Sequence, residues 1–200
     1  MSAATPAREP MPKPLRADAR RNRDRVLAAA REAFVADGPT VSLDEIARRA
    51  GVGAGTVHRH FPTKEELFEA VIVDRLVGLT EIARELGRAV EPGEAFFRFF
   101  HQLVEEARHN LALSAALTEA GADAAARDIA RQAGSGLQDA LATLLVRAQK
   151  AGAVRRDINA GDLHSIVVGV IAMQRGRAAG LPAGAGLAVV TDGLRANPYA

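Results

Sequence analysis

No cysteine occurs anywhere in the 200 residues, so neither a disulfide framework nor a thiolate zinc site is available, and nothing demands an oxidising compartment. Long apolar runs are missing too. The longest, IVVGVIAM from Ile166 to Met173, falls far short of the roughly 20 residues that span a bilayer. The opening stretch, MSAATPAREPMPKPLRADARRNR, sets prolines and arginines where a signal peptide needs an apolar segment. A cytoplasmic location without membrane contact is the expectation. Period-two alternation is absent, as are internal repeats. What remains is 48% hydrophobic and 25% charged, enough for one good core or two small ones, and it reads as all-α. No nucleophile beside a base, no phosphate-cradling glycine loop and no metal-ligand cluster stands out, so neither catalysis nor a cofactor is expected.

Charge is small in sum but uneven in place. The net charge is +2, yet residues 1–62 hold eleven Lys and Arg against seven Asp and Glu, leaving fifteen against seventeen behind them. A basic front suggests a polyanionic partner there. Of the 26 basic residues 23 are arginine, a bias that GC-rich coding also produces and that therefore carries no functional weight.

Residues 1–20 are expected to be a flexible basic arm, because Pro6, Pro10, Pro12 and Pro14 oppose a helix. From Arg23 to Asp37, Val26, Ala30, Ala33 and Phe34 fall at helical spacing, and Gly38-Pro39 ends the segment. Ser42 and Glu45 form a capping box, with Val41 and Ile46 as its hydrophobic staple. Thr63 and Glu66 repeat the box ahead of a long helix striped by Phe68, Val71, Ile72, Leu76, Leu79, Ala83 and Leu86. Further helices are expected at about 94–109, 111–120, 123–133, 137–151, 160–179 and 187–195, divided by Gly121, Gly134, Gly136, Gly152 and Gly180-Leu181-Pro182, about nine in all. The long helix must serve two halves, a head over 21–66 and a rear domain over 67–200.

LDEIARRAGVGAGTVHRH, Leu43 to His60, reads as two short helices joined by a tight turn. Ile46, Ala50, Val52 and Val57 are apolar where the helices face each other, and Ala47 is small where they cross. Gly51 stands where the chain leaves the first helix and needs positive φ. Counting about 100° per residue from inward-pointing Val57 puts Gly55 and Arg59 on the far side, with Thr56 and His58 on the flanks. Ala54 and Gly55 would let the backbone approach a groove floor, and Arg59 could donate a fork to guanine or phosphate. Lys64 could join the first amides of the next helix on a phosphate. His58 and His60 make an H-x-H pair, but residues two apart on a helix diverge by about 200° and cannot share an ion.

Ile46, Ala47, Ala50, Gly51, Val52, Gly55, Thr56, His60, Phe61, Lys64 and Leu67 match a signature, so that Arg23 to about Leu76 resembles the DNA-binding domain of the tetracycline-repressor (TetR) family. The resemblance implies a three-helix reading head followed by a helical domain for ligand binding and dimerisation. It implies that Ser42, Thr56, His58, His60 and Lys64 hold the DNA backbone, while Ala54, Gly55 and Arg59 lie against bases. Two positions depart from the pattern: Gly53 replaces a Ser or Thr, and His58 replaces a Tyr. Arm residues Arg16, Arg20, Arg21 and Arg23 could compensate for the resulting loss of grip.

Four of the seven phenylalanines lie in FFRFF, Phe96 to Phe100. Phe96, Phe100 and Leu103 make one stripe. Phe97, His101, Val104 and Arg108 make another, which either lines a pocket or belongs to an ordinary core with a His101–Glu105 surface pair. By resemblance a cavity for an unknown, largely apolar small-molecule effector is expected there, lined also by Leu117, Leu141, Leu145, Val167 and Ile171. Leu163, Ile166 and Val170 in the penultimate helix and Leu187, Val190 and Leu194 in the last form strong stripes that either close the monomer or build a two-fold interface. The interface is expected, since one head covers too little duplex for useful specificity. The resulting expectation is a homodimeric, ligand-responsive regulator, a repressor on a palindromic operator in double-stranded DNA. Its rivals are an all-helical enzyme with a vestigial head and a protein that binds any duplex alike.

Overall fold

The computed structural model describes residues 13–89, 91–120, 124–175 and 184–196, with their side chains except at 13–16, 39, 107–120, 124–131, 171, 174 and 175. Eight α-helices run in order among them: α1 (Lys13–Asp37), α2 (Leu43–Ala50), α3 (Ala54–His60), α4 (Lys64–Ala89), α5 (Pro92–Ala120), α6 (Ala124–Lys150), α7 (Ala160–Arg175) and α8 (Ala185–Leu194). A 3-10 turn, Gly38–Thr40, follows α1.

Three segments depart from the pattern expected of the sequence. Helix α1 begins at Lys13, inside the stretch expected to be a flexible arm. Pro14 is its second residue, where a backbone N–H has no intrahelical acceptor and the fixed φ of proline is already helical. The segments expected at 94–109 and 111–120 are one helix, as are those at 123–133 and 137–151. Gly134 and Gly136 lower the stability of α6 by about 1 kcal/mol each, but they remove no hydrogen bond, and the packing of α6 on α4 and α5 offsets the loss.

Caps explain where helices start. Ser42 Oγ accepts from the Glu45 amide at 3.2 Å, and Thr63 Oγ1 from that of Glu66 at 3.1 Å. Glu91 Oε2 accepts from the amides of Gly93 and Glu94 ahead of α5. Before α7, Asn159 Oδ1 accepts from the Asp162 amide while Asp162 Oδ2 accepts from that of Asn159, a reciprocal box that went unread in the sequence.

Two cores form, and α4 supplies both. The front core gathers Val26, Leu27, Ala30 and Phe34 of α1, Ile46 and Ala47 of α2, Val57 of α3, and Leu67, Phe68 and Val71 of α4. Phe34 meets Phe68 edge to face at 5.1 Å. The rear core starts at Leu79 and Ala83 and centres on Phe96, Phe99 and Phe100, with Leu144, Leu145, Leu163, Val170 and Leu194. Gly87 lets α4 and α6 close up, since a Cβ there would lie 3.2 Å from both Leu144 Cδ2 and Arg147 Nη1. The end of α8 is tied to the loop after α6 by the Arg155 amide donating to Leu194 O and the Ala196 amide to Ala153 O, both at 3.1 Å.

Candidate nucleic-acid interface

The turn between α2 and α3 is set by Gly51, at φ 63° and ψ 38°. Its amide donates to Arg48 O at 3.2 Å and that of Val52 to Ala47 O at 3.1 Å, closing α2 with its last carbonyls satisfied. Arg25 of α1 reaches the turn and donates from Nη2 to Gly51 O at 3.0 Å. A Cβ at position 51 would stand 2.6 Å from that nitrogen. The role of Arg25 was not legible in the sequence, because it spans 26 positions without any periodic signal.

Helix α3 therefore leaves α2 at a fixed angle and turns Val57 fully into the front core. Ala54, Gly55, His58, Arg59 and His60 lie exposed on the other sides and Thr56 is half-buried. Nothing lies within 4 Å of a Cβ built on Gly55. The orientation counted from Val57 is the one observed, and the small-residue rim with Arg59 beside it is open. Gly53 caps α3 without a side-chain hydrogen bond.

Charges on the head are arranged rather than scattered. Glu45 is held down to about 2 by hydrogen bonds from Arg48 and then Arg49, and Arg49 also meets Asp37 Oδ2 at 2.7 Å. Glu45 thus turns to the arginines instead of back to the Ser42 amide, and both arginines of α2 are neutralised. Arg21 pairs with Asp18. Arg23 lies over the Phe61 ring, 5.7 Å from its centroid, a stacking role beside the one expected for it on the arm. Arg20 and Arg59 have no ion pair among the described residues, and Lys64 is half-buried at the start of α4. His58 Nε2 lies 3.1 Å from Asp44 Oδ1, and the His60 ring tilts against Phe61 at 6.3 Å, so the two imidazoles do diverge.

The rear residues expected to hold a ligand are largely packed inside the protein. Val104, Leu141, Leu145 and Val167 are buried in the rear core. Phe97 is covered by the Arg195 guanidinium, 4.7 Å above its ring. Thr191 donates its hydroxyl to Leu187 O, so it accepts from His101 Nε2 at 2.8 Å. His101 lines a cleft of about 640 Å³ with Ile82, Glu85, Leu86, Ala89, Arg98 and Gln102. The side chains of Arg108, Leu117 and Ile171 lie outside the described residues.

The stripe expected to build the dimer lies in and against the rear core. Leu163, Val170 and Leu194 are buried in the rear core, and Ile166, Leu187 and Val190 pack partly buried against it. The strongest apolar stripe of each helix is taken by its own core, and among the described residues the exposed large apolar side chains of α7 and α8 are Val168 at 52%, Met173 at 49% and Val189 at 72%.

The family model for bacterial regulatory proteins of the tetR family matches residues 26–71. A second, for the C-terminal domain of SbtR-like transcriptional regulators, matches 91–196, more than half of the chain. The chain belongs to the TetR family. A TetR regulator of Mycobacterium vanbaalenii is 43% identical, with a TM-score of 0.75 over 91% of this chain and 99% of that one. The TetR regulator SCO0520 of Streptomyces coelicolor is 33% identical, with a TM-score of 0.70 over 88% and 99%. The HTH-type regulator TtgW of Pseudomonas putida is 48% identical over 60 residues, 30% of this chain and 45% of that protein, so that likeness covers less than half of the relative. Both TetR neighbours match across head and rear domain together.

Proposed function

We propose that this TetR-family chain is a homodimeric transcriptional repressor that reads a near-palindromic operator through two heads. The observation that carries the reading is the open rim of α3. Gly55 and Arg59 face outward from a helix whose inner face, at Val57, is locked into the core. Such a rim fits a major groove, with Gly55 admitting the backbone and Arg59 supplying a fork to guanine. Ser42, Thr56, His58, His60, Lys64 and Arg20 would position the duplex through phosphates.

The second copy would pack on the exposed side of α7 and α8, around Val168, Met173 and Val189. A largely apolar effector in the rear domain would favour a head spacing that no longer fits successive grooves, with α4 as the lever because it runs through both cores. Release then requires only that the effector bind the two spacings differently. No helix among the described residues is long and apolar enough to cross a membrane, and action on a genome places the protein in the cytoplasm. What supports a non-enzymatic role is that the matching family models and the similar structures are those of transcriptional regulators.

Operator footprinting with excess random competitor tests this reading. Protection of two symmetric half-sites that survives the competitor supports it, and equal binding to any duplex refutes it.

A further inference from the structure

We propose that Asp44 and His58 form a proton-linked phosphate contact, in which Asp44 positions the imidazole and binding to duplex DNA takes up one proton. This deepens the DNA-binding reading and rests on it. Asp44 sits in the first turn of α2 and His58 in the last turn of α3, and Nε2 lies 3.1 Å from Oδ1 with both side chains at least half exposed. A carboxylate only accepts, so Nε2 carries a hydrogen and donates it to Asp44. Phosphate oxygens also only accept. With Nε2–H committed, a neutral ring presents a bare lone pair at Nδ1, and only the imidazolium has an Nδ1–H to give a phosphate. The same cation separates Asp44 from the phosphate, two anions that would otherwise repel each other at the interface.

The other charged groups of the head are differently engaged or farther off. On α1, Arg25 is taken by the Gly51 carbonyl; on α2, Arg48 and Arg49 are taken by Glu45. Arg59 and His60 lie on α3 itself, and Lys64 begins α4. Among the described residues only Asp44 comes within ion-pair distance of His58. DNA would therefore raise the proton affinity of His58. The contact therefore weakens as pH rises.

The test uses the full chain and the duplex it enriches from a random-sequence library, with anisotropy titrations at pH 6 and pH 8 over a range of salt. Wild type should lose about tenfold more affinity between the two pH values than His58→Gln does. Its salt slope should be steeper at pH 6 by about 0.9. Asp44→Asn should flatten the pH dependence by gaining affinity chiefly at pH 8, because an amide NH2 can donate to a bare Nε2, which leaves a neutral Nδ1–H for phosphate. His60→Gln should keep the wild-type pH slope, whatever its affinity. A wild-type slope in either His58→Gln or Asp44→Asn overturns the proposal while leaving DNA binding intact. Failure to enrich any duplex at either pH overturns DNA binding itself, and this contact with it.

Discussion

Replacing Gly51 by alanine probes how firmly the reading helix is aimed. Two separable effects act at that position. Its φ of 63° lies in the left-handed region, where a Cβ adds about 1 kcal/mol of strain. The new Cβ would also stand 2.6 Å from Arg25 Nη2. The guanidinium is the far end of a flexible side chain and will swing away, giving up its hydrogen bond to Gly51 O, a net loss of about 1 kcal/mol. Together the head should lose about 2 kcal/mol, and about half of that once Arg25→Met has already removed the contact. Hydrogen exchange read by mass spectrometry on peptides from α2 and α3 is the appropriate assay, because the rear core is separate and a global melt would mix the two. A loss below about 0.5 kcal/mol, or the same loss with and without Arg25, would refute this account of the turn.

Further outcomes follow from the same geometry. Glu45→Gln should loosen the head at neutral pH, and its difference from wild type should fade as pH falls from the ordinary value of 4.5 towards about 2, since a depressed carboxylate stabilises only while ionised; circular dichroism during acid titration checks this. Arg59→Ala should relax base preference at a loss of roughly 1 to 3 kcal/mol, whereas Lys64→Ala should weaken all duplexes alike and reduce the salt slope by about one, as measured by competition binding. Val189→Asp should leave the monomer folded and abolish the dimer in analytical ultracentrifugation, while Leu194→Ala, at 2% exposure, should destabilise the monomer by about 2 to 5 kcal/mol in urea.

Much of the head was legible because its signals are local. A cap at Ser42, a glycine at 51 and one inward valine at 57 fix two short helices in sequence terms alone, and the period of the helix then places Gly55 and Arg59. The rear was legible only as helices. Its apolar stripes said which faces are buried, but a stripe does not say what buries it. Leu163 and Leu194 fit a dimer seam and a monomer core equally well until the positions of α5 and α6 are known. Glycine misled at 134 and 136, where long-range packing outweighs a local penalty, and Pro14 misled because its effect depends on whether it lies in the first turn or beyond it. The contacts from Arg25 to Gly51, Asp44 to His58 and His101 to Thr191 join residues 26, 14 and 90 positions apart, and no periodicity reports them.

The absence of cysteine makes the central claim directly measurable, because a single Gly55→Cys substitution creates a unique thiol on the outer rim of α3. Tethering an iron chelate there and initiating cleavage on operator DNA should cut at two symmetric positions within successive major grooves. The same probe at exposed Val35 of α1 should not reproduce that pattern. Cuts from position 55 that are absent, or spread evenly along the duplex, would mean that this face of α3 does not enter the groove.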